Sequence, residues 1–374
     1  MATFARRCKP CVMANKNTLF LSTRKGLIVC SRRSGNWAFS GSHFDGIPVT
    51  FTYEDERHGA WWACLDHGHW GVKLHRSFDR GASWEEVSAP AYPEGAEIQE
   101  GVPATTKYIW SMQHGGHSHP RRLWLGTIPG GLFRSEDGGD NFQLVESLWN
   151  HPTRPKQWFG GGFDHPGIHS IVVDPRDEDH LYIGISVAGV LESRDGGQSW
   201  AFRNKGLRAD FLPDPFAEVS HDPHLLLAAP SNPDVLWQQN HCGIFVSHDG
   251  GANWKDVSEA EGPARFGFAI AVAEDDPHQA WVAPAVSDEV RTAVGNSLCI
   301  CRTDDGGKSW TAQRKGLPQQ FCYDIVYRHA LAATGEDVVF GTTTGNVFFS
   351  QDRGDSWAVL SHYLPMVHAV GFGG

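Results

Sequence analysis

The chain has no apolar run approaching the ~18 residues that a membrane-crossing helix needs, so no such helix is expected. It also lacks the surplus of lysine and arginine that phosphate neutralisation requires. Forty-three acids stand against 32 bases, a formal charge of −11, and a nucleic-acid partner is not expected. There is no Gly-x-Ser-x-Gly elbow, phosphate-cradling glycine loop, dinucleotide fingerprint or His-Glu-x-x-His helix. Serine nucleophiles, nucleotides and short-range zinc pairs therefore have no motif behind them. An apolar fraction of 40% with 20% charge excludes a disordered, collagen-like or coiled-coil chain.

Little can be made of the first residues. Residues 1–11 are basic without an apolar core segment, so a secretory signal is not expected. Residues 1–12 read as an extension ahead of a single domain over residues 13–374. Cys8 and Cys11 have the spacing of a redox pair or half a zinc site. No second Cys-x-x-Cys completes a zinc site and no βαβ pattern surrounds the pair, which leaves two unpaired thiols. The remaining cysteines fall mostly on strand-like segments, as small buried thiols of a reducing compartment. The cytoplasm is the expected location.

What the chain does have is a repeat, sought before any secondary structure. Six segments fit Ser/Thr-x-Asp-x-Gly-x-x-Trp/Phe: SFDRGASW from Ser77, SEDGGDNF from Ser135, SRDGGQSW from Ser193, SHDGGANW from Ser247, TDDGGKSW from Thr303 and SQDRGDSW from Ser350. They recur every 47–58 residues, and a degenerate copy, SRRSGNW, starts at Ser31. Each box suits a hairpin turn: the aspartate accepts from nearby backbone N–H groups, and the glycines allow positive φ. The closing aromatic carries apolar surface between neighbouring sheets. Ahead of each box lie three strand-like runs, such as HSIVVDP, HLYIGIS and GVLESR, with a fourth after it, such as WAFRNKGL. Four short strands per unit and about seven units predict an all-β, seven-bladed propeller. The C-terminal MVHAVGFGG reads as an innermost strand A without a B, C or D. The N-terminal NTLFLS, GLIVCS and NWAFSG supply B, C and D without an A, so the two ends are expected to close one blade and hide both edges.

These boxes resemble those of the BNR or Asp-box repeat proteins, from about residue 15 to the end. That group includes sialidases, xyloglucanases, sortilin-like receptors and photosystem-assembly factors. The resemblance implies the fold and not an activity. A sialidase of this group would bring six blades, an arginine triad and a Tyr/Glu pair. This chain counts seven units and has no early Arg-Ile-Pro, with Arg24 the nearest counterpart.

The boxes belong to one face of a propeller, so chemistry is sought at the opposite mouth, where each strand A begins. Alignment of the apolar runs places His169, His224, Phe268, Tyr323 and His368 at that entrance. Converging imidazoles suit a divalent transition metal (Zn, Mn, Fe or Cu), and His169, His224, His241 and His368 are its expected ligands. A seven-bladed oligogalacturonate lyase is similar in architecture, with a metal held by His and Gln. That likeness implies the Gln role for Gln238 or Gln239. Glu218 is the expected general base, with His221 and Tyr323 beside it. Arg24, Arg265 and Arg291 are expected on an anionic group of the substrate, and Gln239 among the substrate contacts. Trp61, Trp62, Trp70 and Trp158 are either sugar platforms or core. Asp45, Asp66, Asp164, Asp222 and Asp288 are the other mouth-face carboxylates.

Three functions follow as expectations. The first is a metal-dependent hydrolase or lyase acting on a small or oligomeric anionic substrate. The second is a metal-independent glycoside hydrolase with paired carboxylates. The third is a protein-interaction scaffold, which would present a flat mouth with an exposed apolar patch.

Overall fold

Each box closes a hairpin through the same set of bonds. In the third, Ser193 Oγ donates to Asp195 Oδ1 (2.8 Å) and accepts from the Gly197 N–H (2.8 Å). Asp195 Oδ1 also accepts the Ser199 N–H (2.9 Å), and Oδ2 takes the Ser199 hydroxyl (2.6 Å). The pattern repeats at Asp79, Asp137, Asp249, Asp305 and Asp352. Gly196 and Gly197 sit at φ 67° and 85°, where a side chain would be strained. Where the first of these glycines is replaced, at Arg80 and Arg353, the arginine takes the positive φ itself. The box aromatics insert between blades as expected. Trp254 is buried, and its Nε1 donates to the Arg203 carbonyl beside the preceding blade (2.7 Å).

The computed structural model describes residues 16–374. The expected extension over 1–12, with Cys8 and Cys11, lies outside them. The described residues form seven four-stranded antiparallel sheets, the blades of a propeller, and one two-stranded ribbon, Glu97–Gln99 with Val102–Pro103. We number the blades along the chain and letter their strands A to D outwards. The A strands of blades 1 to 6 are Val49–Asp55, Tyr108–His114, Ile168–Asp174, Pro223–Ala229, Gly267–Val272 and Leu331–Thr334. Blade 7 joins the chain ends: Val367–Gly373 is its strand A and pairs with Thr18–Thr23, followed by Gly26–Arg33 and Asn36–His43. This closure is the one the sequence predicts. In the degenerate box, Ser34 and Gly35 form a two-residue turn with positive φ at both positions (48° and 84°).

Packing between blades supplies the core. The B strands are buried on both faces, so Trp62, Trp124, Trp237 and Trp281 are almost wholly enclosed. Trp61 and Trp158 are also core, while Trp70 is 71% exposed. Of the cysteines described, Cys30, Cys64, Cys299, Cys301 and Cys322 are buried free thiols, and Cys242 is half-buried.

One irregularity positions the mouth. In six blades the register between strands A and B slips near the start of strand A, leaving one extra residue on the inner strand. The extra residue is Thr50, Trp110, His169, His224 and His368 in blades 1, 2, 3, 4 and 7, and falls within Phe268–Ala269 in blade 5. A bulge bends the strand and re-aims a side chain. The sequence alignment therefore found the right position at His169, His224, Phe268 and His368. It fails in blade 6. There the segment expected as strand A, from Tyr323, is irregular, and the strand starts only at Leu331. Ile325 and Val326 are buried without joining a ladder, so their apolar pattern imitated a strand.

Candidate active site

The connections from D to A and from B to C converge on the mouth face and enclose a pocket of about 430 Å³. Its wall is aromatic. Phe163, from the loop ahead of blade 3, lies 5.0 Å from Trp110 and 5.7 Å from Tyr108, ring centre to ring centre. Phe268 and Tyr327 meet edge to face at 5.1 Å on the other side. Gly161 lets that loop approach: a Cβ there would stand 2.9 Å from Val187 Cγ2 and 3.5 Å from Asp222 Oδ2.

Two arginines line the pocket. Arg328 is only 8% exposed, with its guanidinium 4.7 Å from the Trp110 ring and 5.8 Å from Phe268. Among the described residues no carboxylate pairs with it, and its buried Nε has no hydrogen-bond partner. Burial pushes its pKa down to about 10, so it remains charged at neutral pH. Arg291 stands over the same Phe268 ring at 5.6 Å; its Nε donates to the Asp288 carbonyl (2.9 Å), and among the described residues it has no ion pair. A buried, unpaired guanidinium facing a cavity is costly unless an anion completes it.

The same pocket holds Asp222, His224 and His241, each offering a ligand atom within 4.8 Å of the others, with His224 stacked at 4.8 Å on the Phe268 ring that carries both arginines. Asp222 Oδ2 is 3.5 Å from His224 Nε2 and 3.4 Å from His241 Nδ1. Its other oxygen accepts the Val187 N–H (3.2 Å). Burial drives the Asp222 pKa upward, but the two imidazoles, with the Arg328 charge adding to them, outweigh it and hold the carboxyl well below its usual range. Burial lowers the pKa of His224 against the pull of Asp222, whereas Asp222 raises that of the more open His241. One far nitrogen is hydrogen-bonded and the other faces a carboxylate beyond hydrogen-bond distance. His224 Nδ1 lies 2.6 Å from the Gly267 carbonyl oxygen, and His241 Nε2 is 3.8 Å from Asp288 Oδ2.

Of the expected metal ligands, the structure brings His224 and His241 together and leaves two out. His169 is fully buried behind Trp110, with Nδ1 against Ser170 Oγ (2.8 Å). His368 lines the pocket, but its Nδ1 faces the Tyr108 hydroxyl (3.3 Å) and it is outside the Asp222 group. The expected catalytic set is dispersed. Glu218 is exposed away from the pocket, and its carbonyl serves Asn204 Nδ2 (2.8 Å). His221 is buried with Nε2 on the Ala217 carbonyl (2.6 Å), and Tyr323 is 59% exposed on the misread segment. Gln239 is buried, its amide held by the carbonyls of Gly243 and Arg265 (both 3.1 Å). Arg24 is exposed at the blade 7 turn, and Arg265 lines a different recess. Arg291 alone of the three arginines reaches the pocket.

Sequence reasoning missed Trp110, Tyr327 and Arg328. The last two had a signal: Tyr-Arg-His interrupts an apolar run immediately before Leu331, where a charge is not expected to face solvent.

No protein-family model matches the chain. It is 28% identical over 242 residues to the oligoxyloglucan-reducing end-specific xyloglucanase of Emericella nidulans, covering 64% of this chain and 25% of that protein. It is 23% identical over 239 residues to sortilin of Rattus norvegicus, covering 63% and 24%. A solved structure of an ancestral GH74 enzyme matches with a TM-score of 0.57 at 16% identity, over 83% of this chain and 38% of that one. The chain spans about a quarter of the length of these curated relatives, and at such identity the structural likeness speaks for the fold alone. The seven-bladed chain thus fits the BNR-like group of repeat propellers, a likeness that leaves its activity open.

Proposed function

We propose that the chain is a hydrolase that takes an anionic oligosaccharide into the mouth pocket. Arg328 carries this reading: a buried guanidinium without a carboxylate partner suits a carboxylate or sulfate on the substrate, which it and Arg291 can meet with paired N–H groups. Sugar faces stack on aromatic rings such as Trp110 and Phe163. Hydrolysis is supported by relatives named as xyloglucanases, each of which is longer than this chain. Elimination has no such support.

Those relatives weigh towards the metal-independent alternative, glycoside hydrolysis by paired carboxylates. Asp222 and Asp288 are the two carboxylates of the pocket lining, one on each side of His241. Asp222, held ionised, suits the nucleophile or base, and Asp288 or His241 would protonate the leaving oxygen. The pocket is recessed rather than flat, so the scaffold reading has no specific observation behind it.

The test is a panel of neutral and acidic oligosaccharides assayed with wild type and Arg328→Gln, following reducing ends and the ultraviolet absorbance of an unsaturated product. Turnover of acidic substrates, reduced about 10- to 100-fold in the variant, is expected, since a hydrogen bond to a charged group contributes about 1.5–3 kcal/mol. Equal turnover of neutral substrates by both proteins would overturn the anionic assignment. An unsaturated product would overturn hydrolysis.

A further inference from the structure

We infer that Asp222, His224 and His241 form a binding site for one divalent transition metal, with zinc as the best-suited ion. The argument begins at His224. A carbonyl oxygen only accepts, so the nitrogen 2.6 Å from Gly267 O carries the ring hydrogen. In the neutral ring Nε2 then presents its lone pair to Asp222 Oδ2, 3.5 Å away, and two acceptors face each other inside the protein. His241 directs Nδ1 at the same oxygen from 3.4 Å. A cation among the three resolves this opposition.

The two separations from Asp222 Oδ2, 3.5 and 3.4 Å, fit one. A tetrahedral ion with bonds of about 2.1 Å holds its ligand atoms about 3.4 Å apart. The outward nitrogens fit as well, because a metal-bound histidine commonly gives its other N–H to a carbonyl or carboxylate. Here Gly267 O accepts from His224 Nδ1, and Asp288 Oδ2 faces His241 Nε2 from 3.8 Å. Two imidazoles and a carboxylate are a zinc ligand set that leaves a position open, and all three residues line the pocket. The competing resolution is a proton shared among the trio.

The role of such an ion rests on the proposed hydrolase reading, where it would acidify the attacking water or polarise the bond. The site itself does not. It is therefore tested without substrate, on the full chain stripped by chelator. Zn(II) is titrated calorimetrically, bound metal is measured by elemental analysis after gel filtration, and Co(II) is added to follow its visible bands. Wild type is expected to bind about one equivalent, with a Co(II) spectrum of tetrahedral type. His241→Gln and Asp222→Asn lose it, while His169→Ala and His368→Ala keep it. Asp288→Asn weakens it about 10- to 100-fold, as expected for a group that orients a ligand. Circular dichroism checks that each variant is folded. A folded wild type that binds none of Zn, Mn, Fe or Cu overturns the site whatever the variants do, as does a full equivalent retained in folded His241→Gln. One bound zinc without any glycan hydrolysis would sink the hydrolase reading and spare the metal site. Full activity in metal-free protein would remove the ion's catalytic role and favour the carboxylate pair, while the binding measurements alone decide the site.

Discussion

The two faces of this propeller are built on opposite plans. On the box face six turns repeat nearly the same bonds, and every aspartate is satisfied by backbone amides and by hydroxyl or asparagine side chains of its own turn. Arg302 there, for example, meets both Asp304 and Asp355. On the mouth face the register slips at the same place in six blades, but the residues put there differ: threonine, tryptophan, histidine and phenylalanine. Even identical residues diverge. His169 and His224 hold equivalent positions on neighbouring blades, yet one packs behind Trp110 and the other faces Asp222. Local self-sufficiency marks the structural face, and groups left without local partners mark the face that meets a ligand.

That contrast can be broken by variants placed on each side. The largest effect is expected from Arg328→Gln set against Arg302→Gln. The mouth variant should lose about 10- to 100-fold in turnover of an acidic substrate with little change in unfolding, since it removes no protein hydrogen bond. Arg302→Gln should leave turnover within about threefold, because a partly exposed ion pair contributes only about 0–1 kcal/mol. Similar losses in both would erase the distinction. A smaller effect of the opposite kind is expected at the boxes. Asp195→Ala strips acceptors from the Gln198 and Ser199 N–H groups and the Ser199 hydroxyl. Urea unfolding should show a loss of about 1–2 kcal/mol, with turnover per folded molecule unchanged.

The same contrast explains what the sequence could reveal. Repetition is legible: six boxes at nearly constant spacing give the blade count, the four-strand unit and the closure of blade 7. Position within a blade is legible wherever the apolar run is the strand, which is how His224 and His368 were placed at the mouth. Pairing across blades is not. Nothing local says that His241 would share an oxygen with His224 while Glu218 turns to solvent, because the loops carrying them are aperiodic. Asp222 was visible as a mouth carboxylate, but its partners are set by the bulge at His224. Arg328 was lost with the register of blade 6, where buried Ile325 and Val326 counterfeit a strand that begins six residues after Ile325.

Acid should separate the two faces without any mutation. Burial pushes His329 and His368, both at the mouth, down to about 4, with Arg328 adding to the effect on the first and Arg24 on the second. Unfolded, each titrates near 6.5. Between these values the unfolded chain binds more protons than the native one, so stability falls as pH drops from about 6.5 to about 4 and then levels off. Each pH unit of difference corresponds to about 1.4 kcal/mol, which sets the loss at the order of 1–3 kcal/mol per histidine. The box aspartates act lower. Hydrogen bonds from Ser83 hold Asp79 at about 2, so that contribution is present above the usual carboxylate value and is lost as pH falls through the folded one. Unfolding midpoints measured from pH 7 to pH 2 should therefore show two acid limbs. His368→Gln with His329→Gln should flatten only the upper limb, and Asp195→Asn should soften only the lower. An upper limb that survives the double histidine variant would place the acid sensitivity on other buried histidines, such as His169 and His224.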